Sequence, residues 1–187
     1  MSWIARFILW IFGWRIESQP IPNYPKMVMI GAPHTSNLDG FLYILIVLGV
    51  RVRANFLAKH SLFRPPFGWL LRLAGGVPLN RTTTVNAVEQ AVQVFRERDR
   101  MVLALAPEGT RKNVPYWKTG FYYIALGAGV PIVLGYVDYR QRRCGFGPML
   151  MPSGDIDKDF EVIRAFYADK VGQHPERQGP IALPPKE

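Results

Sequence analysis

The stretch KMVMIGAPHTSNLDGFLYILIVLGV, residues 26–50, passes from a buried strand through a polar loop into an apolar helix. KMVMIGAP is short and apolar and ends at Gly31, as a strand covered on both faces should. HTSNLDG, residues 34–40, reads as a loop of Asx-type capping residues. FLYILIVLGV, residues 41–50, is apolar all round, which predicts a helix facing the core or a membrane.

The same alternation continues outward. RANFLAK (53–59) reads as a strand, and HSLFRPPFGWLLRLAG as a Pro-broken loop that becomes a short helix at 67–74. GGVPL is a short strand, and NRTTT a turn with Thr84 as a helix cap. Val85, Val88, Val92 and Phe95 recur at helical spacing. MVLALAP is a buried strand, 119–129 a helix closed by Gly127 and Gly129, PIVLGYVDY a strand, 144–151 one or two strands, and 156–171 a helix. Strands alternating with helices predict an α/β fold: a single domain with a largely parallel sheet covered by helices. The expected organisation is an apolar N-terminal helix over 1–16, a linker over 17–25, the domain over 26–172 and a loosely ordered tail over 173–187.

The N-terminal run MSWIARFILWIFGWRI has no small-x-small site after its apolar core and is short for a membrane span. Arg6 and Arg15 weaken a transmembrane assignment further. The preferred reading is a membrane-interface helix, like a monotopic anchor, with a helix buried on the domain as the alternative. Five Trp in 187 residues and a net charge of +9 suit an anionic surface, and charge by itself does not choose between lipid, nucleic acid and phosphorylated substrates. A single cysteine, Cys144, excludes an intramolecular disulfide.

Ligands in parallel sheets bind beyond the carboxyl ends of strands. Three polar groups follow such ends. His34 and Asp39 pair a base of near-neutral pKa with a carboxylate that can orient it; the spacing alone is more often that of loop caps. Glu108, Gly109, Thr110 and Arg111 combine a close-approach glycine with hydrogen-bond donors and a guanidinium suited to phosphate; alone they are equally a surface turn. Gly75–Arg81 ends a third strand on a cation, and Lys118 is a weaker anion contact. There is no G-x-x-x-x-G-K-[ST] phosphate loop and no G-x-S-x-G nucleophile elbow.

In order and spacing these motifs resemble the glycerolipid acyltransferases of the lysophosphatidic acid type. HTSNLD resembles the N-H-x-S-x-x-D block through His34, Ser36 and Asp39. GGVPLNR resembles a second block ending in Arg81, APEGTR the F-P-E-G-T-R block, and VPIVLG (130–135) the block V-P-[IV]-[IV]-P. Pro33 stands where the family usually has Asn, and Ala106 where it has Phe.

The resemblance implies that His34, oriented by Asp39, takes a proton from a glycerol-type hydroxyl, which attacks an acyl-CoA or acyl-carrier-protein thioester without a covalent acyl-enzyme. It implies that Ser36, Arg81, Glu108, Gly109, Thr110 and Arg111 form the substrate site, with no metal and no cofactor beyond the acyl donor. The implied partners are a membrane surface with anionic lipids, a lysophospholipid and the acyl-carrier protein, not nucleic acid, at the cytoplasmic face of the membrane. Three alternatives stand beside it: a thioester hydrolase on the same fold, an acyltransferase for another lyso-lipid, and a non-enzymatic module binding anionic lipid.

Overall fold

The computed structural model of the chain describes residues 2–17, 24–66, 68–80 and 86–185. Arg81, Thr84 and most of the expected linker lie outside the described residues.

Five parallel strands make the body of the sheet: β2 (Lys26–Ala32), β3 (Ala54–Lys59), β4 (Gly76–Leu79), β5 (Met101–Leu105) and β6 (Ile132–Asp138). Two further strands extend one edge. β7 (Arg143–Leu150) returns antiparallel to β6, and β1 (Arg15–Ile16) adds parallel to β7. The order among the described residues is β1–β7–β6–β2–β5–β3–β4. The central position of β2 explains its uninterrupted apolar run: both of its faces are covered.

The side chains of β2 alternate between two cores. Met27 and Met29 pack with Leu9 of α1 (Ser2–Ile11) and with Leu42, Leu45 and Ile46 of α2 (Asn37–Gly49). Val28 and Ile30 pack on the other face, with Phe95 of α4 (Ala87–Glu97), Tyr122 of α5 (Gly120–Ala128) and Ile163 of α6 (Ile156–Tyr167). The short α3 (Gly68–Leu73) precedes β4.

Three local differences from the sequence reading have physical causes. The N-terminal helix expected over 1–16 ends at Ile11: Gly13, at φ +75°, turns the chain, and Arg15–Ile16 pair with β7 as β1. The α2 helix begins at Asn37, inside the stretch read as loop. Ser36 caps it, its Oγ accepting the Leu38 N–H, and Asp39 at the third helical position completes a capping box. The segment 173–185, expected to be loose, is stitched to the domain. Trp117 N–H donates to Ala182 O at 2.9 Å, Gln178 bridges Gly172 N and Lys170 O, and Ile181 and Leu183 pack on the core.

α1 docks on α2 through Ala5 and Leu9, and Arg6 Nε donates to Gly49 O. Its opposite side is open: Trp3 and Trp10 are each 69% exposed, with Phe7, Ile11 and Phe12 beside them. On α2, Leu38, Phe41, Ile44 and Leu48 are also exposed, as are Trp69, Leu70 and Leu73 of α3. Among the described residues no helix is long and apolar enough to cross a membrane.

Candidate active site

Because β6, β2 and β5 are parallel neighbours, the loops after them share one rim of the sheet. The loop after β2 carries His34, the one after β5 carries Glu108–Arg111, and Tyr139 follows β6 directly. β4 lies on the far side of β3 from this group. Its end, Asn80, is held by Gln90 of α4, whose Oε1 accepts the Asn80 N–H and whose Nε2 donates to Asn80 O.

His34 Nδ1 lies 3.3 Å from Asp39 Oδ2, and the histidine side chain is partly exposed while the carboxylate is buried. The backbone makes this pairing cheap. The capping turn brings the N–H groups of Thr35 and Ser36 onto Asp39 Oδ2 at 2.7 and 2.8 Å. A carboxylate in the first helical turn also meets the positive end of the helix dipole. On the other oxygen, Oδ1, the Tyr139 hydroxyl donates at 2.6 Å. Burial pushes the Asp39 carboxyl up, but the hydrogen bonds from His34, Tyr139, Ser36 and Thr35 outweigh it and hold the group below the usual carboxylate range. Asp39 is therefore a stable anion at neutral pH. With Nδ1 turned to it, Nε2 is the imidazole nitrogen left to meet a substrate hydroxyl.

The loop after β5 is a tight turn. The Gly109 N–H donates to Ala106 O at 3.0 Å. Gly109 has φ +67°, and a Cβ there would come within 2.8 Å of Lys118 Cε, so the lysine stem lies over the glycine. The Lys118 N–H donates to Pro107 O, which closes the loop. Glu108 points inward. Its Oε1 accepts the His34 N–H at 3.0 Å, and its Oε2 is buried with no hydrogen-bond partner among the described residues. Burial pushes the Glu108 carboxyl up to about 7 against the lowering effect of His34. Arg111 is exposed, and its guanidinium donates to Asn37 Oδ1 at the start of α2.

The structure thus brings together His34, Ser36, Asp39 and Glu108–Arg111. It assigns Ser36 to helix capping and Glu108 to the backbone of the His34 loop. Arg81 lies outside the described residues. Three contributors were missed from sequence: Tyr139, Asn37 and Thr35, whose hydroxyl accepts the His174 N–H at 3.2 Å. Asn37 and Thr35 sit inside the HTSNLD run; Tyr139 is 100 residues from its partner and carries no motif of its own.

Beside the pair, a cavity of about 450 Å³ runs between α1 and α2, lined by Leu9, Phe12, Trp14, Leu38, Phe41, Leu42 and Leu45, with Tyr139, Arg142 and Gln173 at polar positions. Its walls touch Asp39's neighbours in sequence and space, Leu38 and Tyr139.

The chain is similar to known proteins over most of this region. A family model described as Acyltransferase matches residues 15–134. A 1-acyl-sn-glycerol-3-phosphate acyltransferase of Escherichia coli is 32% identical over 133 residues, 66% of this chain and 52% of the relative. One of Haemophilus influenzae is 30% identical over 131 residues, 66% of this chain and 53% of the relative. The chain therefore spans about half the length of the curated relatives it matches. A crystal structure of the 1-acyl-sn-glycerophosphate (LPA) acyltransferase from Thermotoga maritima superposes with a TM-score of 0.57, covering 87% of this chain and 72% of that one. At 19% identity this last likeness is one of fold.

Proposed function

This chain belongs to the acyltransferase family, and on that premise we propose that it moves a fatty acyl group from an acyl thioester to the hydroxyl of a lysophospholipid, 1-acylglycerol-3-phosphate above all. The observation that carries the reading is the His34–Asp39 pair, 3.3 Å apart, facing the same rim as the Glu108–Arg111 turn.

His34 Nε2 takes the proton of the acceptor hydroxyl as its oxygen attacks the thioester carbonyl carbon. Asp39 stabilises the imidazolium that forms. The tetrahedral intermediate collapses with cleavage of the C–S bond, and the departing thiolate receives the proton from His34. The products are an ester and a thiol, either CoA or acyl-carrier protein. Arg111, together with Arg81, supplies positive charge for the acceptor phosphate. The apolar cavity beside Tyr139 suits an acyl chain by its lining and its nearness to the pair.

A single-chain lipid acceptor resides in a bilayer, so the enzyme works docked at a membrane surface, peripheral or monotopic, on the cytoplasmic face. The exposed Trp3, Phe7 and Trp10 of α1 and the net charge of +9 support docking on anionic lipid. Acylation of a phosphorylated lyso-lipid is a step of phospholipid biosynthesis, and that is the role this assignment implies.

The test is acyl-CoA or acyl-carrier-protein consumption with lysophosphatidate as acceptor, wild type against His34→Ala, with the lipid product identified. Ester formation lost in the variant supports the proposal. Free fatty acid as the sole acyl product would make the protein a thioester hydrolase, and lipid binding without turnover a non-enzymatic module.

A further inference from the structure

The two oxygens of Asp39 are held in different ways. Oδ2 takes local donors, the Thr35 and Ser36 N–H groups and His34 Nδ1. Oδ1 takes the Tyr139 hydroxyl, from the end of a different strand. Asp39 is 1% exposed, so an oxygen that loses its donor there is not compensated by bulk water. The tyrosine is itself fixed from two sides. Its ring meets Trp14 edge-on at 4.9 Å and 89°, and its N–H donates to Val171 O at 2.9 Å. Trp14 is buried, and its N–H donates to Leu9 O in α1.

We propose that Tyr139 is a positioning residue for the His34–Asp39 pair, and that Trp14 ties its ring to α1, so that the apolar N-terminal helix and the reacting pair belong to one line of contacts. The kinetic part rests on the acyl-transfer reading; the spectroscopic part does not.

The physical basis is directional. Local backbone donors fix one carboxylate oxygen but leave rotation about the Cβ–Cγ bond incompletely restrained. A donor on the second oxygen fixes the plane of the carboxylate, and with it the direction in which the imidazole is held. Burial and the adjacent Asp39 push the Tyr139 phenol far up, so its hydroxyl remains a donor throughout the working pH range. The titratable or charged groups near the pair include Glu108 and Tyr43 from the core side, His174 behind Thr35, Arg111 on Asn37, and Arg142, which lines the cavity together with Tyr139. Trp14 and Tyr139 both line that cavity, so a shift of α1 reaches the carboxylate through two rings.

The experiment uses the full chain and Tyr139→Phe, which keeps the ring and its contact with Trp14. We expect kcat to fall about tenfold, the equivalent of one lost hydrogen bond to a charged group, with KM for both substrates within about twofold. By NMR at a fixed pH, the ring ¹⁵N signals and the Nδ1–H proton of His34 move from their wild-type positions, because the carboxylate that faces Nδ1 is no longer held in one plane. Repeating that comparison in a Glu108→Gln background separates it from any effect of the Glu108 carboxylate on the same loop. Trp14→Leu should lower kcat in the wild type and cost markedly less when Tyr139 is already Phe. Unchanged kcat and unmoved His34 ring signals overturn the positioning role, as does a loss of thermal stability without either change. Additive effects of Trp14→Leu and Tyr139→Phe overturn the link to α1. If the wild type transfers no acyl group, the reaction assignment fails, and the His34 ring signals still decide the role of Tyr139.

Discussion

The backbone N–H of His34 donates to Glu108 Oε1 at 3.0 Å, joining the loop after β2 to the turn after β5 across 74 residues of sequence. The glutamate of the EGTR turn therefore holds the backbone of the loop that carries His34. Its second oxygen is buried without a partner among the described residues, and its carboxyl is pushed up to about 7 by burial.

That burial predicts a pH dependence of stability. The carboxyl titrates higher folded than the ordinary value near 4.5, so the folded state holds more protons through the window from about 4.5 to 7. Stability should fall as pH rises through that window, by a total of about 3 kcal/mol. Glu108→Gln should remove the slope while its amide oxygen still accepts the His34 N–H. Chemical denaturation at pH 5 and pH 7.5, for both proteins, measures the difference.

Asp39 gives the opposite sign. Its folded carboxyl titrates below the ordinary value, so its contribution is present above that value and is lost as pH falls through the folded one. Asp39→Asn should lose about 2 kcal/mol of stability at pH 7, since a neutral amide accepts the Thr35 and Ser36 N–H groups less well. Its kcat should fall by about 10³- to 10⁴-fold, as the imidazole loses its orienting charge. A stable Asn variant with near-normal turnover would contradict the role given to the pair.

Arg111 is held by Asn37 at the start of α2. Asn37→Ala should free the guanidinium and raise KM for a phosphorylated acceptor about tenfold with little change in kcat. Arg111→Lys should cost at least as much, because a lysine cannot offer two parallel donors to a phosphate. The check is steady-state kinetics with lysophosphatidate and a neutral lyso-lipid side by side; an equal effect on both acceptors would exclude phosphate recognition by Arg111.

The exposed tryptophans of α1 predict lipid binding. Trp3→Ala and Trp10→Ala should each weaken partitioning to vesicles containing anionic lipid by about an order of magnitude. Folding should be little affected, since both side chains are 69% exposed. Vesicle sedimentation with the two variants, read against far-UV circular dichroism, separates the effects.

Gly31 is irreplaceable for a packing reason. A Cβ there would lie 1.9 Å from Tyr43 Oη, because the tyrosine of α2 lies against β2 and donates to Ile30 O. Gly31→Ala should lower stability by about 2 kcal/mol or more, measured as a drop in the thermal midpoint.

Much of this architecture is legible in single stretches. The buried strands KMVMIGAP and MVLALAP show as unbroken apolar runs, since both faces of a central parallel strand are covered, and the strand–helix alternation then implies a shared rim. The α2 helix begins earlier than its apolar run suggests because the polar Ser36 and Asp39 form its capping box, and a polar capping run reads as loop. The tail 173–185 read as loose because its anchoring runs largely through backbone groups, such as Ala182 O and Ile181 O, that any residue provides.

By itself, the sequence determined the α/β class, because strand and helix periodicity is local and leaves a pattern in adjacent residues; it marked His34, Asp39 and Glu108–Arg111 as site candidates only through the order of motifs that resembles a known family. The tertiary structure alone decided that Glu108 holds the His34 backbone, that Arg111 is held by Asn37, and that Tyr139 and Trp14 stand behind Asp39. Those contacts depend on β6, β2 and β5 lying side by side in the sheet, and strand order is set by packing among distant segments that no local pattern encodes.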